Sequence, residues 1–216
     1  TYDVLSNNGA DSGEGSDGSG KNHFAFDPFF AKAFIDYYGT HLYAIRQTLG
    51  GIGIESQPTT PPRNYTWQPK IDTIVSGCKS MCLELLDKLI AAQEWANNNN
   101  VILMPVAILW HQGENDATSD RIPKYQQNLS NLISWIRGIL GAPALPFINA
   151  FIQKDFSSLY PQINQIFVDM NEMDPFMKTV DMEGHYTSIG DGLHYDSAAL
   201  QYMGEQMFEK YKELNV

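Results

Sequence analysis

The chain has 216 residues, 43% of them hydrophobic and 12% aromatic, enough to bury one sizeable core, so a single domain over 1–216 is the expectation. Its net charge of −11 and pI near 4.7 argue against nucleic acid or an anionic membrane as partner, because neither polyanion is drawn to an acidic surface. No run reaches the roughly 18 apolar residues of a transmembrane helix, and a neutral partner such as a sugar ester is compatible with this composition.

In chain order, residues 1–5 (Thr-Tyr-Asp-Val-Leu) lead into a stretch over 6–22 rich in Gly, Ser, Asn and Asp that reads as a surface loop. A helix starts with Asp27 as N-cap and Pro28 at its first position, carries Phe30, Phe34 and Tyr38, and stops at Gly39. Leu42-Tyr43-Ala44-Ile45 is a short strand, running into Gly50-Gly51-Ile52-Gly53. The four prolines of 56–69 mark an irregular loop. An amphipathic helix is expected from about 70 to 97, with Ile71, Ile74, Val75, Cys78, Cys82, Leu85 and Leu89 at helical spacing and the Asn97–Asn100 run ending it.

Residues 101–110 are apolar almost throughout, as in a strand covered on both faces, with pairing expected to begin after Pro105. A helix over about 121–140 stops at Gly141. Strands are expected at 147–152 and 166–170, and a last helix from Ser197 to Leu214. Strands alternating with helices indicate an α/β layer fold with a parallel sheet. Cys78 and Cys82, four apart, would share one helical face as small buried residues, with no further Cys or His nearby to make a metal site.

Two clusters carry chemistry. Asp191-Gly192-Leu193-His194 places a carboxylate three residues before an imidazole, just ahead of the last helix. A serine hydrolase needs that imidazole to take the hydroxyl proton, and the carboxylate to fix its tautomer. Gly113-Glu114-Asn115-Asp116 leaves the apolar strand, and an Asn amide beside a backbone N–H supplies the two donors an oxyanion needs. Alone, each also fits an ordinary turn or helix cap.

The longer match removes that ambiguity. Leu109-Trp110-His111-Gln112-Gly113-Glu114-Asn115-Asp116-Ala117 resembles the W-x-Q-G-E-(S/N)-D-A segment of the carbohydrate acetylesterase branch of SGNH-type (GDSL-like) hydrolases, which includes sialate O-acetylesterases and acetylxylan esterases. Gly190-Asp191-Gly192-Leu193-His194-Tyr195 resembles the last block of the same family, and Gly50-Gly51 its G-G-T-x-I turn, with Ile52 and Gly53 departing from the usual small polar residues. The resemblance implies a flavodoxin-like three-layer α/β/α sandwich. It implies His194 and Asp191 as catalytic residues, Gly51 and Asn115 as oxyanion donors, and Gln112 lining or supporting the same hole. It implies an O-acetylated carbohydrate as substrate, an extracytoplasmic or secreted setting, and no cofactor or metal.

The family's nucleophile lies in a G-Q-S-(N/M) turn after the first strand, and no Gly-Gln-Ser occurs here. Residues Thr1–Gly9 resemble a family segment located some tens of residues beyond that turn, so the expectation is an N-terminal segment carrying strand and serine ahead of Thr1. Ser12, in Ala10-Asp11-Ser12-Gly13, is the alternative nucleophile. The rival functions are a sugar-binding module that has lost its serine, and an esterase of another short-chain ester. His111 stands inside the motif as a pocket-lining candidate, whereas His23, His41 and His185 read as structural or exposed. Tyr65 and Trp67 read first as core or loop anchors and second as a sugar-stacking platform.

Overall fold

The computed structural model describes residues 2–6, 25–56 and 64–214, with the side chains of 2–6 and 71 excepted. The elements in order are β1 (Tyr2–Ser6), α1 (Asp27–Tyr38), β2 (Leu42–Ile45), β3 (Tyr65–Thr66), β4 (Lys79–Ser80), α2 (Met81–Asn99), β5 (Ile108–Trp110), α3 (Ile122–Ile139), β6 (Phe147–Ala150), α4 (Tyr160–Met173), β7 (Met177–Val180) and α5 (Ser197–Glu213). Among the described residues these strands pair in parallel: β1 with β2, β3 with β4, and β5-β6-β7 as one three-stranded sheet. The loop expected over 6–22 lies, beyond Ser6, outside the described residues.

Side-chain alternation along β6 builds the layers. All four of its residues are buried. Phe147 joins the core beneath α2, α3 and α4, whereas Ile148 and Ala150 join the core beneath α1 and α5. Successive strand residues point to opposite faces, so a strand apolar on both must be covered on both. Met177 and Val180 divide between the same two cores on β7. The result is a three-layer α/β/α sandwich. Among the described residues no helix is long and apolar enough to cross a membrane.

The helix ends reflect local chemistry. Gly39 closes α1 in the left-handed region at φ 65°, and Asn100 closes α2 at φ 54°. Ser80 Oγ caps α2 by accepting from Leu83 N, and Asp196 caps α5 by accepting from Ala199 N. Asp27 is the first residue of α1 rather than its cap, and its carboxylate accepts from Arg46 Nε at 2.8 Å. Gly204 lets α1 cross α5 closely: a Cβ there would lie 2.1 Å from Phe26 O.

Three further expectations are corrected. Residues 166–170 are not a strand but the middle of α4, because Ile163, Phe167 and Met170 recur at helical spacing and are buried together; the last parallel strand is Met177–Val180. The helix expected from residue 70 begins at Met81, after the turn at Gly77 (φ 90°) and the Ser80 cap, so Cys78 lies before it while Cys82 lies in it. The apolar run 101–110 forms a strand only over 108–110, on the expected side of Pro105. Trp67 is buried in the core, 5.2 Å from the Trp110 ring, in agreement with the core reading. Burial pushes the Cys82 thiol up to about 12.

Candidate active site

The loops that leave β2 and β5 are held together by one buried carboxylate. Asp116 is 1% exposed. It accepts from Ile54 N at 2.9 Å, Glu55 N at 3.4 Å and Gln112 Nε2 at 2.6 Å. Burial raises its pKa, opposed by those hydrogen bonds and by the Arg121 charge. Gln112 Nε2 also reaches Ile52 O at 3.4 Å, and the Tyr125 hydroxyl lies 3.0 and 3.1 Å from Gln112 O and Oε1. Both ends of the Gln112 amide are therefore occupied by neighbouring protein groups.

Gly51 takes φ 75°, a left-handed conformation that glycine adopts without strain. Among the described residues no acceptor is bonded to its N–H. Two residues on, Gly53 N donates to Asn115 Oδ1 at 3.0 Å in the amide orientation that satisfies the side chain, and Arg121 Nη1 donates to the same oxygen at 3.3 Å. With Oδ1 held from two sides, the Asn115 N–H₂ is the end left to donate. Gly51, Gln112 and Asn115 thus meet around one turn.

The Asp191–His194 pair forms on the loop after β7. Asp191 Oδ1 accepts from Leu193 N and His194 N, both at 2.9 Å, folding the four residues into a compact turn. Its Oδ2 lies 2.5 Å from His194 Nδ1. That contact makes Nδ1 the protonated nitrogen, since the carboxylate can only accept, and leaves Nε2 unprotonated in the neutral ring. The His194 hydrogen bond, with help from the two backbone N–H groups, holds the Asp191 carboxyl down to about 2. The His194 side chain is 69% exposed and Asp191 41%, so solvent reaches the pair.

The loop is closed by an antiparallel bridge from Ser188 to Tyr195 and by Ile189 N donating to His194 O at 3.1 Å. The Tyr195 hydroxyl donates to Phe151 O at 3.0 Å, just past β6, and its ring lies 5.5 Å from that of His111. The Asp191–His194 loop and the Gln112–Asp116 loop are therefore neighbours through Tyr195 and His111. Among the described residues no hydrogen bond joins the two clusters directly, and no hydroxyl is bonded to His194 Nε2. Ser12 and His23 lie outside the described residues, whereas His41 and His185 are exposed.

Sequence reasoning assigns no role to Asp116, Gly53, Arg121 or Tyr125. Signals are present for two of them. Asp116 stands four residues after Gln112, and Gly53 is the departure from the family's turn. A Cβ at Gly53 would lie 2.8 Å from Asp116 Oδ1, so the absent side chain makes way for the carboxylate. Among the described residues no group of three or more His, Cys, Asp or Glu side chains is placed to hold a metal ion.

A family model described as carbohydrate esterase, sialic acid-specific acetylesterase, matches residues 67–213. Among solved structures, a protein from Arabidopsis thaliana superposes with TM-score 0.65 at 19% identity, covering 85% of this chain and 66% of that one. A carbohydrate acetylesterase from Xanthomonas citri superposes with TM-score 0.58 at 17% identity, covering 89% and 41%. NanS does so with TM-score 0.57 at 13% identity, covering 86% and 70%. At these identities the likeness is one of fold, and the chain spans 66% and 41% of the first two structures. No curated protein matches the sequence.

Proposed function

The chain belongs to the carbohydrate esterase family of sialic acid-specific acetylesterases, and from that premise we propose that it removes acetyl groups from O-acetylated carbohydrates by a Ser-His-Asp mechanism. The observation that carries the reading is the 2.5 Å contact of Asp191 Oδ2 with His194 Nδ1, which orients the imidazole and leaves Nε2 as base.

In this mechanism His194 Nε2 takes the serine hydroxyl proton as the oxygen attacks the acetyl carbonyl. The new C–O bond drives the carbonyl electrons onto oxygen, and Gly51 N–H and the Asn115 N–H₂ donate hydrogen bonds to that oxyanion. Collapse breaks the bond to the sugar oxygen, which leaves with the proton from His194. Water, deprotonated by His194, then attacks the acetyl-serine. Acetate departs and the serine recovers its proton. Asp191 stays a carboxylate throughout, as its low pKa requires.

The serine in this reading lies outside the described residues. No hydrogen bond joins the β1-β2 pair to the β5-β6-β7 sheet among the described residues, and β5 pairs with β6 alone. Ile102 and Met104, in the segment leading into β5, are 89% and 79% exposed. In this reading the free edge of β5 is where a parallel strand carrying the serine would pair, and Ser12 is one candidate serine.

Acetate release by proton NMR from O-acetylated sialic acid and from acetylated xylo-oligosaccharides tests the proposal. Release should fall about 10⁴-fold or more in His194→Ala. An unchanged rate in that variant would overturn it, and retained sugar binding without release would favour a binding module.

A further inference from the structure

Asp116 is a buried carboxylate that the ester chemistry does not use, and it is the point where two loops distant in sequence are tied. Its oxygens accept from the N–H groups of Ile54 and Glu55 on one loop and from Gln112 Nε2 on the other. Gly53 lies against Oδ1 with no room for a Cβ, while its own N–H holds Asn115 Oδ1 at 3.0 Å. Each oxyanion donor is thus within a few residues of these bonds: Gly51 just before the clamped turn, Asn115 beside Asp116 itself.

From this geometry we infer that Asp116 is the positioning residue that sets the separation of the Gly51 N–H from the Asn115 amide, and so the depth of the oxyanion hole. The inference rests on the esterase reading above. All three groups facing Asp116 are donors, which an acceptor-only carboxylate satisfies and an amide of the same shape does not. Asp116→Asn turns N–H hydrogens toward one or two of them and pushes the loops apart. Gly53→Ala reaches the same end from the other side, by displacing the carboxylate.

The test measures kcat and KM for 4-nitrophenyl acetate in the native protein, Asp116→Asn, Gly53→Ala and the double variant. Melting curves fix a temperature at which each is folded. A positioning role predicts a fall in kcat of about 10²-fold with KM nearly unchanged, since misplacing catalytic groups by about 1 Å has effects of that order. The double variant should be no worse than the poorer single one, because both break the same clamp. Amide exchange at Gly51–Glu55 should quicken in Asp116→Asn whatever the substrate.

Wild-type kcat in folded Asp116→Asn or Gly53→Ala would overturn the inference, as would a loss of rate that tracks only the unfolded fraction and disappears on cooling. His194→Ala separates this from failure of the esterase reading. If that variant loses hydrolysis while both clamp variants keep it, the esterase stands and the positioning role falls. If His194→Ala hydrolyses normally, the esterase reading itself falls.

Discussion

Asp191 does two jobs with two oxygens: Oδ1 gathers the backbone of Leu193 and His194, and Oδ2 receives Nδ1 of the imidazole. The imidazole contact contributes most to its low pKa. In His194→Ala, a carboxyl carbon titration by NMR should therefore move Asp191 from about 2 up toward the ordinary carboxylate range. The depressed folded value also sets the sign for stability. What Asp191 contributes is present above the unfolded carboxyl pKa and is lost as pH falls through about 2, so mild acid leaves the turn intact. In the proposed mechanism Asn115 acts through the one amide end left to donate, and Asn115→Ala should then lower kcat by about 10²–10³-fold. Motif order is enough to single out these residues in the sequence. The Asp116 clamp is not, because its partners are backbone N–H groups some sixty positions away (|i−j| 62 to Ile54), which no local spacing encodes.

Among elements, those with punctuation at both ends are readable. Pro28 and Gly39 bracket α1, and Asp196 opens α5. The middle of α4 reads as a strand because Ile166-Phe167-Val168 is a short apolar run with two β-branched residues. The buried face that makes it a helix, Ile163-Phe167-Met170, needs a longer window. That same face fixes the active loop. Gly113 sits at φ 153°, where a Cβ would lie 2.6 Å from Ile163 Cγ2. Gly113→Ala should destabilise the fold by about 1–3 kcal/mol in urea titrations. Gly204→Ala meets backbone rather than a side chain, at 2.1 Å from Phe26 O, and should cost more in the same measurement. A smaller loss for Gly204→Ala than for Gly113→Ala would show that α1 yields more readily than the Gly113 loop.

At the scale of the whole molecule, alternating strands and helices point to the layers, and burial on both faces of β6 explains why its sequence reads apolar throughout. Two clusters lie on neighbouring loops, Gln112–Asp116 with the Gly51–Gly53 turn and Asp191–His194, and the proposed mechanism takes its oxyanion donors from the first and its base from the second. The proposed acetylesterase places a serine between them. The most direct measurement is labelling of the native protein with a fluorophosphonate, with the adduct mapped by peptide mass spectrometry in parallel with His194→Ala. The account predicts one adduct per molecule, on a serine outside the described residues, with labelling strongly slowed in the variant. An adduct on a serine distant from His194, or equal labelling in the variant, would contradict it.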